Sequence, residues 1–172
     1  KAVINNSEFT RNHTSSNGYG AAIYVRGDWY NDDDTYYLYR NYTELNHNTI
    51  AHNYYSGNSY SISSGDIIFQ YNDCNAIVNN SIIKFSYWDG ANDNIDDPPY
   101  VQLNNTYTNG SDNKLFINSH RNWFEFDLAA HSPAIGYGVY DERFPIDRNG
   151  NPRNPDENPD AGCYESTRSV PE

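Results

Sequence analysis

Apolar and polar positions recur along this chain in a fixed frame. Ile4-Asn5-Asn6-Ser7-Glu8-Phe9-Thr10-Arg11-Asn12 aligns with Leu45-Asn46-His47-Asn48-Thr49-Ile50-Ala51-His52-Asn53. Val78-Asn79-Asn80-Ser81-Ile82-Ile83-Lys84-Phe85-Ser86 fits the same frame. Each copy reads apolar, Asn, any residue, Asn or Ser, any residue, apolar, two of any type, then Asn or Ser. The spacings of 41 and 33 residues suit one to two turns of a repeat with loop insertions. Between the copies lie β-prone runs, Ala21 to Val25, Tyr36 to Tyr39, Tyr60 to Ser63 and Ile67 to Tyr71. Turn residues such as Arg26-Gly27-Asp28 and Asn72-Asp73 follow them. Strands and turns with no helix between them leave a β-sandwich or a β-helix. A sandwich shows hairpin signals and antiparallel partners. A β-helix places Asn or Ser at equivalent turns, stacked copy on copy, with apolar residues at equivalent inward positions. The second pattern is the one present.

Composition sharpens this picture. Asn occurs 26 times, and it tolerates left-handed backbone and bonds to its own chain, which suits many tight turns. Leu, Ile, Val and Phe make up less than a fifth of the residues, which flags disorder in a chain of net charge −12. Seventeen Tyr and three Trp supply the missing apolar area, and the patterning overrides the flag. A chain this acidic is repelled by phosphate backbones and anionic lipid, so neither nucleic acid nor a membrane is an expected partner. No apolar run approaches the roughly 18 residues of a membrane span.

The stretch from Ile4 to Asn12, running on through Gly18-Tyr19-Gly20-Ala21-Ala22-Ile23-Tyr24-Val25, resembles a coil of the right-handed parallel β-helix proteins. Asn79-Asn80-Ser81-Ile82-Ile83 is similar to one of their late coils. Lys114-Leu115-Phe116-Ile117-Asn118, Phe124-Glu125-Phe126-Asp127-Leu128 and His131-Ser132-Pro133-Ala134-Ile135-Gly136 resemble the closing segment of secreted surface β-helices, including choice-of-anchor domain proteins. So do Asp147 to Arg153 and Asp160-Ala161-Gly162-Cys163-Tyr164-Glu165. In that family Asp usually stands where this chain has Gly136. The resemblance implies an all-β, right-handed parallel β-helix in an extracellular or cell-surface setting. It divides the chain into coils over 1–128 and a C-terminal cap over 129–172. It implies no single activity, because this scaffold carries polysaccharide lyases, adhesins and structural proteins alike.

Candidate chemistry is sparse. Asp32, Asp33 and Asp34, and separately Asp89, Asp93, Asp96 and Asp97, crowd into loop-like stretches that offer the oxygen ligands calcium requires; the competing reading is a solvated acidic loop. Asp147-x-Asn149-x-Asn151 opens like a calcium loop, but Pro152 replaces the required Gly and the segment reads as a turn. Trp29, Tyr30, Tyr54, Tyr55, Tyr87 and Trp88 fall beside expected turns, where rings stack on sugars, form protein interfaces or cover loops. Cys74 and Cys163 form one bridge, link stacked subunits, or remain two buried thiols. Sequons at Asn5, Asn12, Asn41, Asn79, Asn104 and Asn109 are acceptors wherever the host glycosylates. Neither the cations Arg11, Arg26, Arg40, Lys84, Lys114 and Arg121 nor the five His form a base or metal motif, and no catalytic residue is assigned.

The expectation is therefore a non-catalytic extracellular structural protein, a filament or sheath subunit that stacks end to end. The alternatives are the C-terminal part of a polysaccharide lyase using calcium, or a glycan-binding adhesin; for both the partner is a polysaccharide. Lys1 to Ile4 enters a repeat copy without a capping element. That predicts either a longer parent solenoid or an open end seated on another subunit.

Overall fold

The computed structural model describes residues 1–14, 22–26, 28–32, 35–39, 41–51, 53–55, 67–70, 74–83, 87–90, 100–108, 115–120 and 123–166. The described chain is all-β, built of sixteen short strands. Strands β1 (Ala2–Asn5), β7 (Asn41–Asn46), β11 (Cys74–Asn79) and β14 (Tyr100–Asn104) form a four-stranded parallel sheet in that order. β2 (Glu8–Thr10), β8 (Thr49–Ala51) and β12 (Ile82–Ile83) form a second parallel sheet, extended by a bridge from Ile82 to Tyr107. β4 (Ile23–Arg26), β10 (Ile67–Gln70) and β13 (Tyr87–Gly90) form a third. β3 (His13–Thr14) pairs with β9 (Tyr54–Tyr55), also in parallel.

The repeat frame becomes pairing register. Asn5 lies opposite Asn46, Asn46 opposite Asn79, and Asn79 opposite Asn104. The same register sets Ile4, Leu45, Val78 and Leu103 in one row. That row explains the core. Leu45, Val78, Ile50 and Ile83 are buried with Ala76 and with Ile23 of the third sheet, and Ile4, Phe9, Val25 and Leu103 pack against them. Three sheets thus share one apolar cluster, and one row of small and medium aliphatics from each copy suffices to fill it.

Two antiparallel hairpins depart from the expected pattern. β5 (Asp28–Asp32) pairs with β6 (Thr35–Tyr39), and β15 (Phe116–His120) with β16 (Trp123–Leu128). The second hairpin builds a separate core in which Leu115, Phe116, Phe126 and Leu128 meet Ala51, Ile82, Ala134 and Ala161. Residues 129–166 have turns and bends in place of strands. Among the described residues no helix is long and apolar enough to cross a membrane.

Candidate functional site

The most constructed feature of the molecule is the bend between the first and second sheets, repeated in every copy. After each sheet-ending Asn the chain turns through a left-handed residue: Asn6 (φ 46°), His47 (52°), Asn80 (49°) and Asn105 (46°). Asn occupies this conformation more readily than other residues with a Cβ, so three of the four positions carry it. The sheet-ending Asn side chains stack into a ladder. Asn46 Nδ2 donates to Asn5 Oδ1, Asn79 Nδ2 to Asn46 Oδ1, and Asn104 Nδ2 to Asn79 Oδ1, each at 2.8 Å. Ser7, Asn48, Ser81 and Thr106 form a second polar row. Ser7, Ser81 and Thr106 donate hydroxyls to the ladder Asn carbonyls of their own copies, while Asn48 Nδ2 donates to Ile4 O.

These bonds give a fourth repeat copy, Leu103-Asn104-Asn105-Thr106-Tyr107, that the sequence frame missed. Thr106 stands where the frame demands Asn or Ser, and Thr108 where it demands an apolar residue. A hydroxyl of either kind makes the bond, so a frame admitting Thr would have found it.

Residues 129–166 lie along this row of turns and touch all four copies. Asn80 exchanges two bonds with the Val139 backbone, Nδ2 donating to its carbonyl (2.8 Å) and Oδ1 accepting from its N–H (2.9 Å). Phe144 meets the His47 ring edge-on at 6.0 Å, and Asn6 Nδ2 donates to Ile146 O. Tyr137 meets Tyr107 of the fourth copy edge-on at 5.5 Å. Arg143 Nη1 donates to the mostly buried Glu44 carboxylate (2.9 Å), and its other nitrogens hold Asp141. Farther on, Gly162 N donates to Asn80 O, Cys163 N to Thr49 Oγ1, and the Tyr164 hydroxyl to Glu8. Gly162 sits at φ +102° where a Cβ would come within 2.7 Å of Thr49 Oγ1, so only glycine lets the segment close on the repeats. Gly136 also has positive φ, +66°, and its N–H donates to Asp160.

Buried charge concentrates in this segment. Arg153 is 2% exposed; its Nη2 donates to Gly162 O, and Nε lies 3.0 Å from Glu165 Oε1 as an ion pair. Asp147 accepts from the N–H groups of Asn149, Asn151 and Glu165, which confirms the expected turn and spends its carboxylate internally. Burial pushes the Glu165 carboxyl up to about 7 against the pull of Arg153. Burial, aided by the Arg153 charge, holds the His47 imidazole down at about 3. The Asn80 amide donates to His47 Nε2 (3.1 Å), so the ring is neutral with its proton on Nδ1, where it has no hydrogen-bond partner among the described residues. Burial raises the Cys163 thiol to about 12, so it stays protonated and inert at neutral pH.

The residues singled out from the sequence scatter. Trp29 and Tyr30 lie within β5, Tyr54 and Tyr55 make up β9, and Tyr87 and Trp88 open β13. All six lie in strands, in keeping with the preference of aromatic residues for pleated surfaces. Asp32 ends β5 opposite Thr35 and Asp89 lies in β13 opposite Phe69, while Asp33, Asp34, Asp93, Asp96 and Asp97 fall outside the described residues. Among the described residues no group of three or more His, Cys, Asp or Glu is placed to hold a metal.

Cys163 is a free buried thiol and no bridge joins it to Cys74. It packs at Thr49, beyond the sheet-ending Asn turn, whereas Cys74 opens β11 five residues before Asn79. Strand rise alone separates those levels by about 16 Å, against the roughly 7 Å a disulfide tolerates. Of the sequons, Asn79 and Asn104 bond the neighbouring copy through the amide nitrogen a glycan would need, and Asn12 bonds Asn53 in the same way. Asn5 begins the ladder as an acceptor, Asn41 opens β7, and Asn109 is outside the described residues. His131 is exposed. Compared with protein-family models, curated proteins and solved structures, the chain shows no significant match.

Proposed function

We propose that this chain is a right-handed parallel β-helix acting as a non-catalytic structural protein of an extracellular surface, a filament or sheath subunit that associates end to end. The observation that carries the reading is the asparagine ladder with its parallel register over four copies. Successive copies contribute one strand to each of two sheets, which is the connectivity of a solenoid, and parallel crossovers are right-handed in nearly all proteins. Nearly every polar group at the bends bonds to another copy or to the strap that residues 129–166 lay along them. That is the economy of a scaffold, since catalysis needs groups held ready for a substrate. The extracellular setting rests on the resemblance of the closing segment to secreted surface β-helices.

Electron microscopy of the native material, with mass spectrometry of the intact chain, tests the proposal. Ordered filaments are the expected result. Single particles at all concentrations, or cleavage of uronate polymers appearing with calcium, would overturn it in favour of a carbohydrate-active enzyme.

A further inference from the structure

The last turns of the strap are fastened by more charge than they balance. Asp147 and Asp160 are buried beside Arg153, and the Glu165 side chain is mostly buried with them. The two aspartates grip consecutive amides of the chain: Asp147 Oδ2 accepts from Glu165 N (2.9 Å), and Asp160 Oδ2 from Ser166 N (2.6 Å). Arg153 holds the Gly162 carbonyl in the same segment. Gly162, Cys163 and Tyr164 are the residues that reach the repeats, at Asn80 O, Thr49 Oγ1 and Glu8. The cluster therefore clamps the stretch that closes the strap on three of the copies.

Three carboxylates meet one guanidinium there, so with all of them ionised the cluster carries two uncompensated negative charges. Buried charge without a partner is costly, and a bound proton lowers that cost. The hydrogen bonds decide where the proton sits. Asp147 accepts four N–H groups, from Asn149 N, Asn151 N and Nδ2, and Glu165 N, and Asp160 accepts two, from Gly136 and Ser166. Such donors favour the ionised form. Glu165 accepts only from Asp160 N, at 3.2 and 3.3 Å, and its ion pair with Arg153 Nε lacks hydrogen-bond geometry. Arg153 Nη1, also buried, has no hydrogen-bond partner among the described residues, so it adds no bond to the carboxylates. The repeats packed against this segment bring His47, which is neutral and within reach of the Arg153 charge, and Glu8, which takes the Tyr164 hydroxyl. On the strap itself Arg148, exposed, acts on Cys163 and Tyr164. Glu165 is also the member of the cluster that meets water. With Ser166, Glu157 and Asn154 it lines a cavity of about 290 Å³.

We propose that this cluster is a proton-held latch: a proton on Glu165 keeps the strap fastened, and its release to solvent lets residues 160–166 lift from the repeats. The Glu165 carboxyl lies at about 7 in the closed strap against 4.5 when free, so rising pH favours opening. The ladder is built of neutral amides and keeps its bonds.

Amide hydrogen exchange of the natural chain, at about pH 6 and about pH 8 and corrected for intrinsic rates, tests the latch. Gly162 N and Cys163 N report the strap, while His47 N and Ile82 N, bonded between copies, report the stack. The expected result is strap exchange about tenfold faster at the higher pH, with the stack unchanged. Glu165→Gln, which cannot ionise, is expected to exchange at one corrected rate at both values. Equal strap rates in the natural chain, or an equal rise in strap and stack, would overturn the latch. So would a pH effect that survives in Glu165→Gln, because another group would then hold the proton. Should that variant fail to fold, the Glu165 carboxyl signal of the natural chain decides by NMR. A midpoint near 7 supports the latch, and one near 4.5 overturns it.

Discussion

His47 is the exception in a row of asparagines, and its cost can be located at one atom. Its Nδ1–H is buried with no partner among the described residues, which costs about 1–3 kcal/mol. Asn at this position keeps the left-handed backbone, as it does at Asn6, Asn80 and Asn105. We therefore expect His47→Asn to leave the fold intact and to change how stability depends on pH. The His47 imidazole titrates near 3 in the folded chain and near 6.5 unfolded, so the unfolded state binds the extra proton between those values. Its contribution is fully present above 6.5 and is lost as pH falls toward 3. Glu165 acts oppositely: with a folded value of about 7 against 4.5 unfolded, it favours folding below 4.5 and loses that contribution as pH rises through 7. Between about 4.5 and 6.5 the two slopes oppose each other. Urea unfolding at pH 4.5 to 7 is expected to show a nearly flat natural chain. His47→Asn should become less stable toward pH 7, and Glu165→Gln more stable.

At the scale of the elements, the ladder is the unit that fails together. Asn46 is fully buried, donates to Asn5 and accepts from Asn79, so Asn46→Ala strips a partner from both neighbours. We expect a loss of roughly 2–4 kcal/mol in chemical unfolding, the sum of an unsatisfied donor and an unsatisfied acceptor. A loss below about 0.5 kcal/mol, the scale of an ordinary surface substitution, would show that the ladder contributes little. Three of these copies were legible in the sequence because an Asn followed by a left-handed residue leaves a local signature that repeats. The fourth was hidden by Thr106 and Thr108. The hairpins β5–β6 and β15–β16 were not legible, because strand propensity does not say whether a neighbour is parallel. Nor was the strap: Arg143 meets Glu44, and Gly162 meets Thr49 and Ile82, through contacts between residues far apart in sequence. Arg153 is likewise invisible as a buried charge, since its partner Glu165 lies twelve positions away in a segment of turns. The sequence holds their identities, but only the folded chain brings them together.

For the whole molecule, net charge bears on the proposed end-to-end association. Each chain carries −12, so such stacking would bring like charges together against long-range repulsion. At 0.15 M salt the screening length is about 8 Å, and at 1 M about 3 Å. Sedimentation at fixed protein concentration is expected to show larger assemblies as sodium chloride rises from 0.05 to 1 M, roughly, with the increase reversing on dialysis. Assembly that weakens with salt would point to contact through complementary charges instead.

The strap also orders events in time. Asn6 is held by Ile146 and Glu8 by Tyr164, 140 and 156 residues along the chain. A ribosome releases the repeat around Asn6 well before the residues that fasten its turn. During translation the ladder can lengthen copy by copy behind the exit tunnel while its flank stays bare. Such distant closures slow folding and lengthen the interval in which strand edges are open. Fastening of the strap then serves as a final step, committing copies already stacked to the arrangement they had reached.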